Sequence, residues 1–292
     1  MSNQNEQKNG GAYSDKLNEC LILPGRSSRI ENGGLRTKGI FNKTENNEPL
    51  VSIITVSFNS SSTIEDTIKS VLKLPSKNIE YIIIDGGSSD STLEKIKKYD
   101  DQINYWISET DDGIYDAMNK GIKYARGEYL FFLNSDDIFI DQSMNAIFNV
   151  LNSLKYDIVY GNIKIKEKNI ITRPISKKRS KSISYLEPWL MQPASFIKKK
   201  VYDELGNFDV RFNISGDTDF LMRVAKSDFK NFYLDLAFTQ FSIKGVSNQS
   251  ILNLEHLLLR KKHRIKLFLF IKTEMVRITK NIIYRLFIKI FK

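Results

Sequence analysis

The chain has 292 residues, 41% of them hydrophobic and 11% aromatic, which suits one large domain with additions, folded around its own core. Its single cysteine, Cys20, excludes an internal disulfide and a Cys-rich zinc site. Of the net charge of +10, +9 belongs to residues 251–292, so the body of the chain is close to neutral and the basic character is local.

The first 48 residues are rich in Asn, Gly, Ser and Lys and show little apolar periodicity. They predict a flexible N-terminal leader over residues 1–48, although GGLRTKGIF (Gly33–Phe41) is left open as a segment that packs on the domain. No basic start is followed by an apolar core, and no run reaches the roughly 18 apolar residues that span a bilayer. We therefore expect a cytoplasmic protein.

Strand and helix patterns alternate four times from Leu50 onwards. Apolar, β-branched runs predict strands, and apolar residues at helical spacing predict helices between them. The predicted strands are residues 50–58, 79–84, 103–108 and 128–133, and the predicted helices are residues 64–72, 88–99 and 115–125. This alternation predicts an α/β domain with a mostly parallel central sheet and flanking helices.

Polar clusters follow each of these predicted strands. They are Ser57–Asn59, Asp85–Asp90, Glu109–Asp112 and Asn134–Asp137. Ligands of open α/β sheets bind beyond the carboxyl ends of the strands, so we expect the four clusters to converge on one site.

The residue inventory limits the chemistry of this site. Both histidines, His256 and His263, lie in the basic tail, so a Ser-His-Asp or Cys-His system in the body is excluded. The phosphate-binding P-loop and the dinucleotide fingerprint are both absent. The carboxylates that remain suit a hard cation such as Mg²⁺ or Mn²⁺, which pairs naturally with phosphate.

The segment FFLNSDD (Phe131–Asp137) is the sharpest of these features. An apolar strand delivers Asn134, Asp136 and Asp137 to its exit within four residues. Two adjacent carboxylates repel each other, and a divalent ion would neutralise the pair. Helix capping is the alternative, because Asn and Asp also start helices well.

Five segments in order resemble the motifs of glycosyltransferase family 2. The resemblance covers about residues 49–245 and implies a GT-A type nucleotide-diphospho-sugar transferase fold. It also implies inverting transfer of a hexosyl group from a nucleotide-diphosphate sugar to an acceptor hydroxyl. The segments are PLVSIITVSFNS (Pro49–Ser60), EYIIIDGGSSDST (Glu80–Thr92), ISETDDGIYDAMNKGIKYARGEYLFFLNSDD (Ile107–Asp137), MQPASFIKKKVYDELGNFD (Met191–Asp209) and ISGDTDFLMRV (Ile214–Val224).

The same resemblance implies the donor and metal residues. NSDD takes the place of the family's D-x-D, so Asp136 would bind the metal with Asp137 beside it, while Asn134 departs from the family pattern. Each role has a structural alternative. Thr55, Ser57 and Asn59 would then be ordinary polar residues at a strand exit. Asp85 would be a turn residue before Gly86, and Lys120 a solvated helix residue. The implied donor-binding residues are Thr55, Ser57, Asn59, Asp85, Asp112, Lys120, Asn134, Ser135 and Asp136.

The resemblance places the catalytic base in ISGDTDFLMRV. Asp217 best matches the aspartate that removes the acceptor proton, and Asp219 is the second choice. Residues two apart do not share a helix face, so only one of them should point at the acceptor. N-capping of the helix is the alternative. Gln192 falls where the family often has a polar acceptor-side residue, and Trp189 lies nearby in the sequence, where it would stack on a sugar face.

The basic tail divides the chain into a catalytic domain over residues 49–250 and a C-terminal helical segment over residues 251–292. Its amphipathic helical pattern, from Ile265 to Ile290, suits an anionic membrane surface. We therefore predict peripheral attachment to the inner face of the cell membrane, with a glycan or lipid-linked acceptor of cell-surface polysaccharide biosynthesis. The alternatives for the tail are a helix that packs on the domain and a nucleic-acid contact. Nucleic-acid binding by the body of the chain is disfavoured by its near-neutral charge.

Two other functions are compatible with a carboxylate site on an α/β sheet. A metal-dependent nucleotidyltransferase would need a basic, Gly-rich loop near the first strand, and SFNSSSTIED (Ser57–Asp66) has neither glycine nor lysine. A non-catalytic nucleotide-sugar binding protein would keep Asp85 and Asp136 but transfer nothing.

Overall fold

The structure is a computed structural model that describes residues 29–41, 48–74, 78–166, 170–172, 190–243 and 254–265. Within these ranges the strands are β1 (Arg29–Gly33), β2 (Val51–Ser57), β3 (Ile79–Asp85), β4 (Tyr105–Glu109), β5 (Tyr129–Phe132), β6 (Ile138–Phe139), β7 (Ile158–Ile165), β8 (Ile170–Thr172), β9 (Ser195–Lys198) and β10 (Asn231–Phe241).

The helices lie between the strands and after the last of them. They are α1 (Ile64–Leu72), α2 (Thr92–Lys97), α3 (Ile114–Tyr124), α4 (Met144–Leu151), α5 (Lys199–Leu205), α6 (Gly216–Ala225) and α7 (Leu254–Lys262). Short 3₁₀ turns occupy Leu35–Lys38, Asp141–Ser143 and Gln192–Ala194.

One sheet joins the described strands in the order β1-β4-β3-β2-β5-β9-β7-β10-β6, and β8 pairs with β7. The four strands predicted from the sequence, β2 to β5, are parallel neighbours. Beyond them β9 runs antiparallel to β5 and β7, and β10 runs parallel to β7. The prediction of a mostly parallel sheet with flanking helices is therefore confirmed.

Both faces of the central strands are buried, which is why β2 and β3 are nearly continuous apolar runs. Ile54, Ile82 and Ile84 pack with α3 and α6 on one face. Ile53 and Ile83 pack with α1, α2 and α4 on the other. The polar strand ends are thereby held at the edge of a rigid two-sided core.

The predicted leader over residues 1–48 contains folded structure at residues 29–41, a range that includes the segment Gly33–Phe41 left open above. Here β1 extends the sheet antiparallel to β4, and the turn after it buries Arg36. Arg36 forms an ion pair with Glu80 and donates to the carbonyl oxygen of Tyr124 at 2.9 Å. The segment is polar, so its apolar pattern is weak, and a buried ion pair with a strand 44 residues away leaves no local signal.

The start of the basic tail also belongs to the folded domain. Helix α7 buries Leu259 in the core that α3 and α6 share, so residues 254–265 pack on the domain instead of standing apart from it. The remaining tail positions of the predicted amphipathic stripe, beyond Ile265, lie outside the described residues. Within the described ranges, no helix is long and apolar enough to cross a membrane.

Candidate functional site

Asp85 stands at the centre of a polar row across three parallel strands. The strand register aligns Ser57 of β2, Asp85 of β3 and Ser108 of β4. The hydroxyls of Ser57 and Ser108 donate to the Asp85 carboxylate at 3.0 and 2.7 Å. Ser88 donates through its amide at 2.9 Å and through its hydroxyl at 2.6 Å. Asp85 is therefore fixed, without exposed surface, at the carboxyl end of the sheet.

The loop after β2 lies against the loop after β3. Asn59 has a left-handed backbone (φ 47°), its side-chain oxygen accepts from the Ser89 amide at 2.9 Å, and its own amide donates to the Ser88 hydroxyl at 2.8 Å. The next residue, Ser60, has its hydroxyl 2.7 Å from that of Ser135. These bonds join the predicted Asn59, Asp85 and NSDD segments into one loop cluster.

The structure corrects the prediction for Thr55. Its side chain lies in the core with no exposed surface, and its hydroxyl is 3.2 Å from that of Tyr81. Ser57, two residues later, is the first hydroxyl of β2 to reach Asp85. Thr55 therefore supports the strand from within the core. By contrast Phe58, which the sequence interpretation passed over, is 63% exposed at the strand end.

Asp111, not the predicted Asp112, faces the Asp85 segment. A Cβ added to Gly86 would lie 2.5 Å from the Asp111 carboxylate. Because Gly86 has no side chain, the Asp111 side chain can occupy this space. Burial raises the pKa of the Asp111 carboxyl, and the charges of Asp116 and Asp85 act in the same direction. Asp112 itself is exposed, and its amide donates to Asp116 at 3.2 Å.

Lys120 contacts the loop between β4 and α3 from the protein interior and does not point toward a donor site. Its ammonium group is 3.0 Å from a Glu109 carboxylate oxygen and 3.3 Å from an Asp116 oxygen, and it donates to the Thr110 carbonyl at 3.1 Å. The side chain is buried. The predicted donor contact of Lys120 is thus corrected: the lysine neutralises the carboxylates around the loop that carries Asp111.

The NSDD turn separates its two carboxylates. Asp137 has no exposed surface, and its Oδ1 accepts from the Ser242 amide at 2.8 Å, which fastens the turn to the end of β10. Asp136 is half-buried beside the Ser135 that meets Ser60. The Asn134 side-chain oxygen is buried and has no hydrogen-bond partner among the described residues.

These residues fit a metal ion that is shared with phosphate. Within the described ranges, no three His, Cys, Asp or Glu side chains lie close enough together to hold an ion by themselves. Mg²⁺ in nucleotide sites is commonly held by one or two carboxylates, with phosphate and water completing the shell. Asp136 supplies such a carboxylate, and the unsatisfied Asn134 oxygen lies two residues away. Asp137 has a structural partner in Ser242.

Asp217 lies in the first turn of α6, in contact with the start of α3. The Thr218 amide donates to its Oδ1 at 2.6 Å, and the Tyr115 hydroxyl lies 3.3 Å from the same oxygen. Burial raises the pKa of the Asp217 carboxyl, although these hydrogen bonds lower it in part. A carboxylate with a raised pKa accepts a proton more readily, as a general base must.

Asp219 faces a different environment. It is fully buried, and its carboxylate bonds Arg223 of α6 at 3.1 Å and both Lys262 and His263 at 2.8 Å. Burial alone would raise the pKa of Asp219, but these bonds and charges lower it overall. The prediction that only one of the two aspartates is available agrees with this arrangement, in which Asp219 joins α6 to α7.

On the acceptor side, Gln192 opens the 3₁₀ turn that leads into β9. Its side chain is buried, and its amide nitrogen has no hydrogen-bond partner within the described part of the chain. Trp189, the other predicted acceptor-side residue, lies outside the described residues.

Sequence reasoning missed four residues that shape this site: Phe58, Asp111, Tyr115 and His263. The sequence does not indicate which carboxylate, that of Asp111 or that of Asp112, faces the site. Tyr115 is the first residue of a predicted helix, and the sequence does not indicate its partner, because Asp217 is 102 residues away. His263 was assigned to a separate tail. Only the tertiary fold brings these side chains to the site.

The described residues have a fold of the GT-A type. S. aureus TarS, residues 1–349, in complex with UDP-GlcNAc superposes with a TM-score of 0.58 at 19% identity, over 70% of this chain and 61% of that one. At this identity the likeness concerns the fold, and the matched region leaves more than a third of the TarS chain uncovered.

Sequence comparison identifies the family. Residues 52–224 match the model of glycosyl transferase family 2, and the chain belongs to that family. An uncharacterized glycosyltransferase of Mycobacterium tuberculosis is 32% identical over 194 residues, which is 61% of this chain and 69% of the relative. The Escherichia coli UDP-Glc:alpha-D-GlcNAc-diphosphoundecaprenol beta-1,3-glucosyltransferase WfgD is 37% identical over 123 residues, 42% of this chain and 49% of WfgD.

Proposed function

We propose that this family 2 glycosyltransferase moves a hexosyl group from a nucleotide-diphosphate sugar to an acceptor hydroxyl with inversion, and that Asp217 is the base. One observation carries the proposal. Helix α3 begins beside the loop whose Asp111 meets the Asp85 segment, and its Tyr115 contacts Asp217. A single helix therefore connects the donor-side carboxylates to the base.

The donor nucleotide would lie across the ends of β2, β3 and β4. Asp85 has no exposed surface, so it would shape this pocket from beneath, by fixing the hydroxyls of Ser57 and Ser108 at the strand ends. Phe58 exposes an aromatic face at the adjacent strand end, which suits stacking on a nucleobase. Asp111 closes the same side of the cleft from the β4–α3 loop.

The diphosphate would lie toward the NSDD turn. Asp136 and Asn134 are the residues that would hold a Mg²⁺ or Mn²⁺ ion there, and such an ion supplies Lewis-acid stabilisation of the leaving diphosphate. The chain's own contribution is to fix this turn: Asp137 anchors it on Ser242, and Ser135 anchors it on Ser60.

In the transfer step, the acceptor oxygen forms a bond to the anomeric carbon while the bond from that carbon to the diphosphate oxygen breaks. The acceptor proton passes to the Asp217 carboxylate, and the electron pair of the broken bond leaves with the nucleoside diphosphate. Tyr115 and the Thr218 amide hold Asp217 in place during this step. A positioned base of this kind contributes about 10²–10⁴-fold to the rate.

We propose a lipid-linked glycan as the acceptor, as the printed name of WfgD gives for that enzyme. Gln192, whose buried amide nitrogen has no hydrogen-bond partner within the described part of the chain, would donate to its sugar. This acceptor class would place the protein in polysaccharide assembly at a membrane surface.

Helix α7 supports attachment to such a surface. Leu257 and Leu258 are 46% and 48% exposed, and the cations of Lys261 and Arg264 are exposed on the same segment. Apolar side chains beside cations favour an anionic bilayer, at about 1 kcal/mol for each cation near the surface. The further cations of residues 266–292 would add to this attraction.

The donor is tested by thermal shift with UDP-, GDP- and dTDP-sugars, each with Mn²⁺, with Mg²⁺ and with chelator, followed by transfer to diphospholipid-linked N-acetylhexosamine acceptors. We expect stabilisation by one nucleotide class that requires the metal, and transfer with inversion from that donor. Binding without transfer or donor hydrolysis would instead favour a nucleotide-sugar binding protein. No stabilisation by any nucleotide sugar would contradict the proposal.

Membrane attachment is tested by sedimentation with vesicles of anionic or zwitterionic lipid. The matched truncation ends at Ile265, which keeps the α7 contacts with the domain. We expect the full chain to bind anionic vesicles in a salt-dependent manner and the truncated chain to bind them weakly. Equal binding by both chains would exclude residues 266–292 as the attachment segment.

A further inference from the structure

Glu255, the second residue of α7, binds three consecutive backbone amides. Its carboxylate accepts from Asn213 at 2.7 Å, from Ile214 at 3.1 Å and from Ser215 at 2.9 Å. Burial alone would raise the pKa of Glu255, but these amides lower it overall. The contact is therefore made to the ionised carboxylate, and it spans about forty residues of chain.

These three amides lead directly into the helix that carries Asp217. Helix α6 starts at Gly216 with Ser215 as its N-cap, and no side chain of the cap residue itself bonds the first turn. The first-turn amides of a helix need partners, and a negative charge near them is favourable. Glu255 places a negative charge beside this helix start and binds the amides of the three residues that precede it, so the entry to α6 is fixed by α7.

Tyr115 holds the same peptide from the opposite side. Its hydroxyl donates to the Ile214 carbonyl at 2.5 Å and lies 3.3 Å from Asp217 Oδ1. The Ile214 amide is bound by Glu255, so both sides of this residue's backbone are held. The position of Asp217, three residues later, depends on the two contacts together.

Helix α7 makes a second contact with the same helix. Lys262 and His263 each lie 2.8 Å from Asp219, one residue beyond Thr218 and two beyond Asp217. Gly216 packs so closely on the Tyr115 ring that an added Cβ would lie 2.7 Å from it. The first turn of α6 is thus held between α3 and α7.

We propose that Glu255 is a positioning residue, which sets the catalytic base by holding the backbone that precedes α6. This inference rests on the proposed role of Asp217. Under this proposal α7, the first helix of the basic tail, is part of the active site. The residues that follow α7 in the sequence are connected to the base through this one short helix.

The test compares Glu255→Gln with Glu204→Gln, the same substitution at an exposed side chain of α5. Gln keeps the size of Glu but offers one acceptor oxygen and presents an NH₂ group to the amides. We expect Glu255→Gln to lower kcat by about tenfold or more while the donor KM changes by less than about twofold, because a displaced base affects the transition state selectively. Glu204→Gln should match the wild type.

Hydrogen exchange of residues 213–219 supplies the readout that is independent of turnover. Faster exchange in Glu255→Gln, with an unchanged far-UV spectrum at the assay temperature, is expected. Unchanged kcat in an active protein, or a fall in kcat that matches the unfolded fraction, would overturn the positioning role alone. A wild-type protein that transfers no sugar would overturn the proposed function, whatever the exchange shows for the Glu255 contact.

Discussion

Asp217 and Asp219 lie two residues apart in the first turn of α6, yet hydroxyl and amide donors surround the first while Arg223, Lys262 and His263 surround the second. Burial raises the pKa of Asp217, and the bonds of Asp219 hold its pKa low against the effect of burial. The helix thus has one carboxylate that destabilises the fold when ionised and one that stabilises it.

Asp217→Asn should abolish turnover and stabilise the protein. A carboxyl whose pKa is raised by folding contributes stability below its unfolded pKa, and that stability is lost as the pH rises through the folded pKa. At neutral pH the amide removes the buried charge, and its Oδ1 still accepts from Thr218 and Tyr115. We expect a higher Tm at pH 7 and kcat reduced by about 10²–10⁴-fold. A variant that keeps its turnover would remove Asp217 from the base role.

Asp219→Asn should have the opposite effect on stability. The pKa of Asp219 is lowered in the folded state, so its contribution is present above the unfolded pKa and is lost as the pH falls through the folded pKa. Removing one partner of a buried ionic group costs about 3–5 kcal/mol. Urea unfolding at pH 7 should show this loss, and the difference from wild type should shrink under acid conditions. A constant difference across that pH range would contradict the ionic assignment.

The parallel half of the sheet was predictable because its determinants are local. Runs of β-branched residues predict β2 and β3. Asp85 and Asp136 each follow a buried parallel strand, so both are predicted to lie at the same edge of the sheet. The strand pattern does not show which residue of each polar cluster reaches the site. Thr55 and Ser57 are both hydroxyls of β2, but only Ser57 lies level with Asp85. Which of two neighbours reaches a site depends on register and loop conformation.

The errors came from contacts between residues that are distant in sequence. Arg36 and Glu80 form a buried ion pair across 44 residues, and neither belongs to an apolar pattern that would place β1 on the sheet. His263 and Glu255 were read as parts of a basic tail, although both bind the segment around α6. From composition alone, charged residues such as these are predicted to lie on the surface. Ion pairs between residues distant in sequence leave no periodic pattern that would indicate their burial.

Tyr115→Phe should move the acidic limb of the rate profile to higher pH. The Tyr115 hydroxyl lowers the pKa of Asp217, so its removal should raise that pKa further above the ordinary aspartate range. Because the base must be deprotonated, activity rises with pH through this pKa, and the variant should reach its plateau at a higher pH than the wild type. Steady-state kcat against pH measures the shift. A shift to lower pH would contradict the hydrogen bond as the cause.

Asp136→Ala and Asp137→Ala should separate ligand binding from stability. Asp136 is half-buried and assigned to the metal, whereas Asp137 is buried and accepts from the Ser242 amide. Asp136→Ala should lose the Mn²⁺-dependent part of the thermal shift with nucleotide sugar, whereas Asp137→Ala should keep it. Asp137→Ala should leave a buried amide unsatisfied and lower stability by about 1–3 kcal/mol. The reverse pattern in calorimetry would exchange the two roles.

Gly86→Ala should weaken donor binding without unfolding the protein. The new Cβ would lie 2.5 Å from Asp111 Oδ2, and because that oxygen ends a flexible side chain the carboxylate should move away. If Asp111 closes the donor side of the cleft, nucleotide affinity should fall on the order of tenfold, a change of about 1.4 kcal/mol. Isothermal titration with the nucleoside diphosphate and metal measures this loss. The double variant with Asp111→Ala supplies the control, since residues in contact have non-additive effects. Adding Gly86→Ala to Asp111→Ala should cost little further affinity, whereas a full second loss would show that Gly86 acts on the donor by a route other than Asp111.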